Sequence, residues 1–297
     1  MTIDFKQDFD EDDLDDKAVA KIYLTQAING IFAFIGAYLI VMILYQLASM
    51  VMGTTFSMRG TWFYYLVAME PIDGHWTRKA IVASYAAGPI MAFVLAILAL
   101  VLYFNVFRYK SGITKLLLVW IFIHGINLSL GNVVVGAVLN YLKFNNTYRG
   151  AGHALVWSRI EGITLMITAG SALVVQLIAG FMSFSIILQT ALSRRLLFGG
   201  SGARFKYLLT AVFLPWVVGT LIILLIKVPH VEPFDLLIFA ILGTIVIAIL
   251  SLYGFNTALY MSKNNWRTQT FPNVSLILVT GALLFFYRVV LGLGIPF

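Results

Sequence analysis

The sequence predicts an all-α, polytopic bundle of about seven transmembrane helices, and three observations predict it. Hydrophobic residues make up 61% of the 297-residue chain and charged residues 11%, with a mean hydropathy of +0.92; a soluble domain keeps roughly a quarter of its residues charged. The apolar residues gather in long blocks, and a helix needs about 20 such residues to cross the hydrocarbon core of a bilayer. Most of the charges lie between those blocks and in the N-terminal stretch.

The chain opens with an acidic tail, residues 1–23, followed by a transmembrane domain, 24–297. The tail holds eight of the 13 acidic residues. Its Asp8, Asp10, Glu11, Asp12, Asp13, Asp15 and Asp16 are the opposite of the basic start of a signal peptide, so the tail is expected to be retained. It reads as a solvated leash or as a segment that docks a partner. The spans follow at 26–53, 80–107, 113–141, 163–192, 206–227, 233–261 and 272–295.

Between the first two spans, Trp62-Phe63-Tyr64-Tyr65-Leu66-Val67-Ala68-Met69 is too short to cross as a helix and rich in aromatics. It is expected to form an interfacial or re-entrant segment. In the second span Pro89 cannot donate to the carbonyl of Tyr85 and Gly88 lets a neighbour approach, which predicts a kink at Gly88-Pro89. The fourth span is long and carries Gly170 and Gly180, so it tilts, protrudes or breaks, and a break would change the number of crossings. Gly199-Gly200-Ser201-Gly202, before the fifth span, lacks the Lys-Ser/Thr of a phosphate-binding loop and reads as a flexible turn. Arg159 with Glu161, and Glu232 with Asp235, read as interfacial charges. Arg288, in the last span, has no acidic residue of that span to pair with; it snorkels, or it binds a carbonyl or an anionic headgroup.

No cysteine is present, which excludes disulfides, thiolate metal sites and a cysteine nucleophile. Outside the tail, 17 Lys/Arg face five Asp/Glu. Basic loops of this kind are topology signals rather than a nucleic-acid surface. With seven spans, twelve Lys/Arg fall on the side of the N-terminus and seven on the other, leaving Arg288 within the last span. The positive-inside rule then predicts a cytoplasmic N-terminus. The expected location is a bacterial inner membrane, and the expected partners are the lipid bilayer and another membrane protein, with no nucleic acid.

Polar side chains inside spans are site candidates because their desolvation must be relieved. In Trp120-Ile121-Phe122-Ile123-His124-Gly125-Ile126-Asn127-Leu128-Ser129-Leu130-Gly131-Asn132, an α-helical wheel puts His124, Asn127 and Gly131 within about 60° of one another, with Asn132 at the edge. Together with Gln46 these are the candidate polar interior site. The face is either a ligand, ion or proton site or a set of interhelical hydrogen bonds. His124 is also the one mid-span candidate for axial haem ligation, which needs a second ligand or an open position. The four histidines, His75, His124, His153 and His230, lack the spacing of a zinc site. No catalytic residue, metal or cofactor is predicted.

The order of features over residues 40–140 resembles the site-2 protease family of membrane metalloproteases. The residues that carry the likeness are Arg78-Lys79-Ala80-Ile81-Val82-Ala83-Ser84-Tyr85-Ala86-Ala87-Gly88-Pro89, which echoes a basic stretch followed by an A-G-P motif, and Asn127 of His124-Gly125-Ile126-Asn127-Leu128. Residues 62–69 would stand for that family's membrane-dipping hairpin. The resemblance implies a catalytic H-E-x-x-H motif in the first span, but this chain has Tyr45-Gln46-Leu47-Ala48-Ser49 there. In the other register Val41, Met42 and Tyr45 take the same places. No Asp follows Asn127 until Asp235, so the ligand of the L-D-G motif is missing as well, and Ala92 stands where many members have Asn. The resemblance thus implies a non-catalytic, pseudoprotease-like scaffold; it also implies an N-terminus outside the cytoplasm, opposite to the charge count.

Three functions follow as expectations. The first is a non-enzymatic scaffold or accessory subunit of a larger membrane assembly. The second is a small-solute or ion transporter or channel built on the polar face around His124 and Asn127. The third is a haem- or quinone-associated subunit of an electron-transfer complex.

Overall fold

The computed structural model describes residues 16–108, 112–142, 150–193, 195–198, 200–255 and 270–297. Six of its helices are long and apolar enough to cross a membrane, and Val274–Val290 is a shorter apolar one. The protein is a multi-pass integral membrane protein. Its helices are apolar on most sides, as befits rods whose outer surface meets lipid.

Helix α1 (Asp16–Thr55) has 40 residues and begins inside the stretch expected to be tail. Asp16 lies in its first turn, where a negative charge suits the helix dipole, and Ile22 and Thr25 are already buried. Residues 1–15, with the other seven acidic residues of the tail, lie outside the described residues.

The segment after α1 is a β-hairpin. β1 (Met58–Trp62) pairs antiparallel with β2 (Val67–Pro71) in the register Met58↔Pro71 to Trp62↔Val67, and β3 (Ile295–Pro296) adds to the other edge of β1. Aromatic and β-branched residues here pack one face of a short sheet on the bundle, with Trp62 and Tyr64 buried.

Helix α2 (Arg78–Leu102) starts at Thr77, whose hydroxyl accepts from Ala80 N at 3.2 Å. It runs unbroken through Pro89 into a π turn at Tyr103–Phe107. Gly88 serves a close approach: a Cβ there would stand 2.6 Å from Tyr45 Cε1 and 2.8 Å from Ser49 Oγ of α1. The third span is α3 (Ile113–Ile126), a π turn (Asn127–Gly131) and α4 (Asn132–Tyr141) in one rod. A short helix, α5 (Gly150–Trp157), follows.

The fourth span, α6 (Gly162–Leu188), is one continuous helix. Gly170 faces open space, and Gly180 brings α6 close to the sixth span, where a Cβ would meet Ala248 Cβ at 2.7 Å. α7 (Arg195–Phe198) precedes the fifth span, which is α8 (Ser201–Leu208), a π turn (Leu209–Phe213) and α9 (Leu214–Lys227). The sixth is α10 (Pro233–Ser251); where the sequence predicts a seventh span stands the shorter helix α11 (Val274–Phe285) with a π turn (Phe286–Val290).

Side-chain contacts give the direction of each span. Along α1, Phe34 then Tyr45 meet His124 then Asn132; Gly30 then Gly219's neighbour Phe34 meet Pro215 then Gly219; Asn29 then Phe32 meet Asn273 then Thr280. The first, third and fifth spans and α11 therefore run the same way, and β3 returns the C-terminal end to the strand that follows α1. α1 and the third span form the middle of the bundle, with 67% and 78% of the residues in their most apolar stretches buried, against 22% for the second span and 28% for the fifth.

Candidate functional site

The structure divides the residues that the helical wheel had grouped. His124 Nε2 donates to the carbonyl of Phe34 at 3.1 Å, which places a proton on Nε2. Phe34 and Tyr38 pack edge-on against the imidazole at centroid distances of 4.5 and 5.6 Å, and the side chain is buried. Asn127 Nδ2 donates to Ile238 O of α10 at 2.9 Å. Both residues bond one span to another, the use that polar side chains commonly have between membrane helices. The wheel fails across Asn127–Gly131 because the π turn there is wider than an α turn, so the step per residue assumed for an α-helix does not carry on to Asn132.

Asn132 and Gln46 do meet at one place, a cavity of about 330 Å³. Tyr45, Gln46 and Ser49 of α1 form one wall, Tyr85 of α2 and Asn132 with Gly150 the next, and Lys227, Phe234 and Asp235 a third; residues 65–69 of the hairpin cover it. Asn132 Nδ2 donates to Tyr45 Oη at 3.2 Å, and its Oδ1, fully buried, has no hydrogen-bond partner among the described residues. Gly150 is left-handed, at φ 54°, and a Cβ there would also fall 2.7 Å from Asn132 Nδ2. A side chain at this position would strain the backbone and close the cavity.

Gln46 anchors the hairpin. Trp62 Nε1 donates to Gln46 Oε1 at 2.9 Å, and Gln46 Nε2 donates to Tyr64 O at 3.2 Å, so both ends of the amide hold the chain that covers the cavity. Gln46→Leu leaves a buried indole N–H and a carbonyl without their partner. The expected cost is about 1–3 kcal/mol, read as a lower melting temperature together with faster proteolysis within residues 57–72.

The sequence alone did not point to Lys227 and Asp235. Asp235 reads as an interfacial charge and Lys227 as one of the loop charges in the topology count, yet their side chains are only 2% and 6% exposed, with Lys227 Nζ 2.6 Å from Asp235 Oδ1. Asp235 Oδ2 also accepts from Glu232 N at 3.1 Å, within a capping box that starts α10. A signal was present: the two opposite charges flank Val228-Pro229-His230-Val231-Glu232-Pro233, a turn that folds α9 back on α10. Lys115, counted with the loop charges as well, is likewise buried. Arg288 takes the carbonyl alternative: its Nη2 donates to Val228 O at 3.3 Å, and its guanidinium lies 4.6 Å over the Tyr64 ring.

The hairpin supplies the remaining feature of the site. Gly60 exchanges both backbone bonds with Phe297, and Phe63 N donates to Leu66 O. Alternation along the ladder then turns the main-chain groups of Val67 and Met69 to the outer edge of β2. Val67, Ala68 and Met69 are the same residues that line the cavity. Comparisons with protein-family models, with curated proteins and with solved structures give no match to this chain.

Proposed function

We propose that this chain is a non-catalytic membrane module, an accessory subunit or scaffold, that holds an extended segment of another membrane protein in the cavity between α1 and the hairpin. The observation that carries the reading is the outer edge of β2. An edge strand presents N–H and C=O groups at the spacing of a partner strand, and here that edge borders a cavity with polar groups at Tyr45, Ser49, Asn132 and the Lys227–Asp235 pair. The likeness to site-2 proteases agrees with it, since Tyr45, Gln46 and Ser49, which stand in one register where that family has two His and a Glu, all line the cavity. Three N/O ligands and a base, which a zinc hydrolase requires, are not supplied by Tyr, Gln and Ser. The charge asymmetry supports a cytoplasmic N-terminus: with buried Lys115 and Lys227 set aside, eleven Lys/Arg remain on that side against six.

The test is the native mass of the gently extracted protein, with identification of what co-purifies. The expected result is a stoichiometric membrane-protein partner that is lost on Val67→Pro. Val67 opens β2, a position where proline is tolerated, and its N–H points to the outer edge, so the substitution removes a donor to the partner and none to β1. A lone monomer or homo-oligomer in the parent, or a partner retained by Val67→Pro with the fold intact, would overturn the proposal. A transport function is favoured by one observation, the ion pair on the cavity wall, because buried ionisable groups in spans often mark solute paths. It would show as flux in proteoliposomes that Asn132→Ala and Ser49→Ala abolish.

A further inference from the structure

A second recess of about 330 Å³ lies on the lipid-facing side, where α2, the Asn127–Gly131 turn and α5 meet. It exists because the residues there are small: Ala86 and Pro89 of α2 face Ala151 and Ala154 of α5, while Ile90 and Phe93 form a rim that is 60% and 41% exposed. Ser129 is the one lining residue with a polar side chain. A dry apolar cavity of about 150 Å³ already takes up benzene. One twice that size, open to the bilayer, is filled by hydrocarbon rather than by water, which would find almost no partner in it.

What lies above the recess selects the occupant. Arg78 Nε donates to Trp157 O at 2.7 Å and so ties the start of α2 to the end of α5. Arg78, Lys79 and Arg159 are exposed around that tie, and Trp76 and Trp157, each 43% exposed, stand at the same level, as tryptophans do at the headgroup region. The acidic residues of the adjoining loops are Asp73 and Glu161. From Arg78 to Pro89 the helix descends about 16 Å at 1.5 Å per residue, close to the ~15 Å of one leaflet. A lipid whose phosphate sits on the basic residues thus reaches the recess with its acyl chain.

We infer that this recess is a binding site for one acyl chain of an anionic phospholipid, with the headgroup on Arg78, Lys79 and Arg159. The inference is independent of what fills the cavity beneath the hairpin. Native mass spectrometry of the whole protein, loaded from mixed micelles with phosphatidylglycerol or with phosphatidylcholine, tests it. The parent chain is expected to retain one phosphatidylglycerol in preference to phosphatidylcholine. Lys79→Glu/Arg159→Glu, which spares the Arg78 tie, is expected to weaken that preference on the order of tenfold or more, given the electrostatic attraction of each basic residue to anionic lipid. Val133→Trp, which fills the recess, is expected to lose both lipids; should it fail to fold, Ile90→Trp from the exposed rim takes its place. Equal retention of the two lipids by the parent, or undiminished phosphatidylglycerol on a folded recess-filling variant, would overturn the inference.

Discussion

Lys227→Met is expected to destabilise the protein by roughly 3–5 kcal/mol, because it strands a buried carboxylate. Asp235 is fixed by two contacts, the Lys227 ammonium at 2.6 Å and the Glu232 amide at 3.1 Å. The amide can hold the neutral form as well, but only the ammonium neutralises the charge. In thermal unfolding in a fixed detergent, a loss of this size lowers Tm by about 10 °C. Lys227→Met/Asp235→Asn separates the charge from the shape. Asparagine keeps an acceptor for the Glu232 amide and carries no charge, so the double variant should recover most of the loss, as buried ion pairs replaced by neutral groups commonly do. If the double variant is as unstable as the single one, the ammonium is held by something other than Asp235, and the pair is not what joins α9 to α10.

The second large effect is expected at the crossing of α4 and α5. A Cβ added to Gly152 would lie 2.5 Å from Gly136 Cα. The obstacle is backbone on both sides, which cannot rotate away as a side chain can. Gly136→Ala should therefore push the two helices apart and cost about 1–3 kcal/mol, the range of overpacking. Because Gly150, at the head of α5, lines the cavity, the same variant should loosen binding there. Gly170→Ala is the matched control: nothing lies within 4 Å of its Cβ, so replacing a mid-helix glycine should raise stability by up to about 1 kcal/mol. Both are read as Tm shifts under one condition, and a Gly136→Ala variant no less stable than the parent would show that α4 and α5 do not cross this closely.

Some of the site was legible beforehand. Gln46 and Asn132 stand out as polar residues in apolar blocks, and both line the cavity. Gly88 announces a close approach, which Tyr45 and Ser49 make. His124 and Asn127 announce buried polarity with equal strength, yet they serve as ties between spans. Composition marks which side chains need a partner, but the partner is a main-chain carbonyl on another span, Phe34 or Ile238, and carbonyls leave no trace in a sequence. The Lys227–Asp235 pair was hidden for a related reason. Charges at the ends of a span read as solvated, and only tertiary packing, with Tyr38 of α1 and Tyr287 of the last helix beside Lys227, takes the water away.

The sequence by itself determined the class of protein and, within a few residues, where most of its long apolar helices start, because lipid requires such helices and their length is written in the chain; it predicted about seven spans, where six helices are long enough to cross and Val274–Val290 is shorter. It also determined that Tyr45 to Ser49 contains no His, Asp or Glu to hold a zinc ion. Only the tertiary structure decided that the fourth span is whole, that residues 58–71 form a hairpin tied down by Gln46, and which polar groups share a cavity. Those outcomes depend on contacts between residues far apart in the chain, where hydrogen bonds and shape compete between spans and no local period records the result.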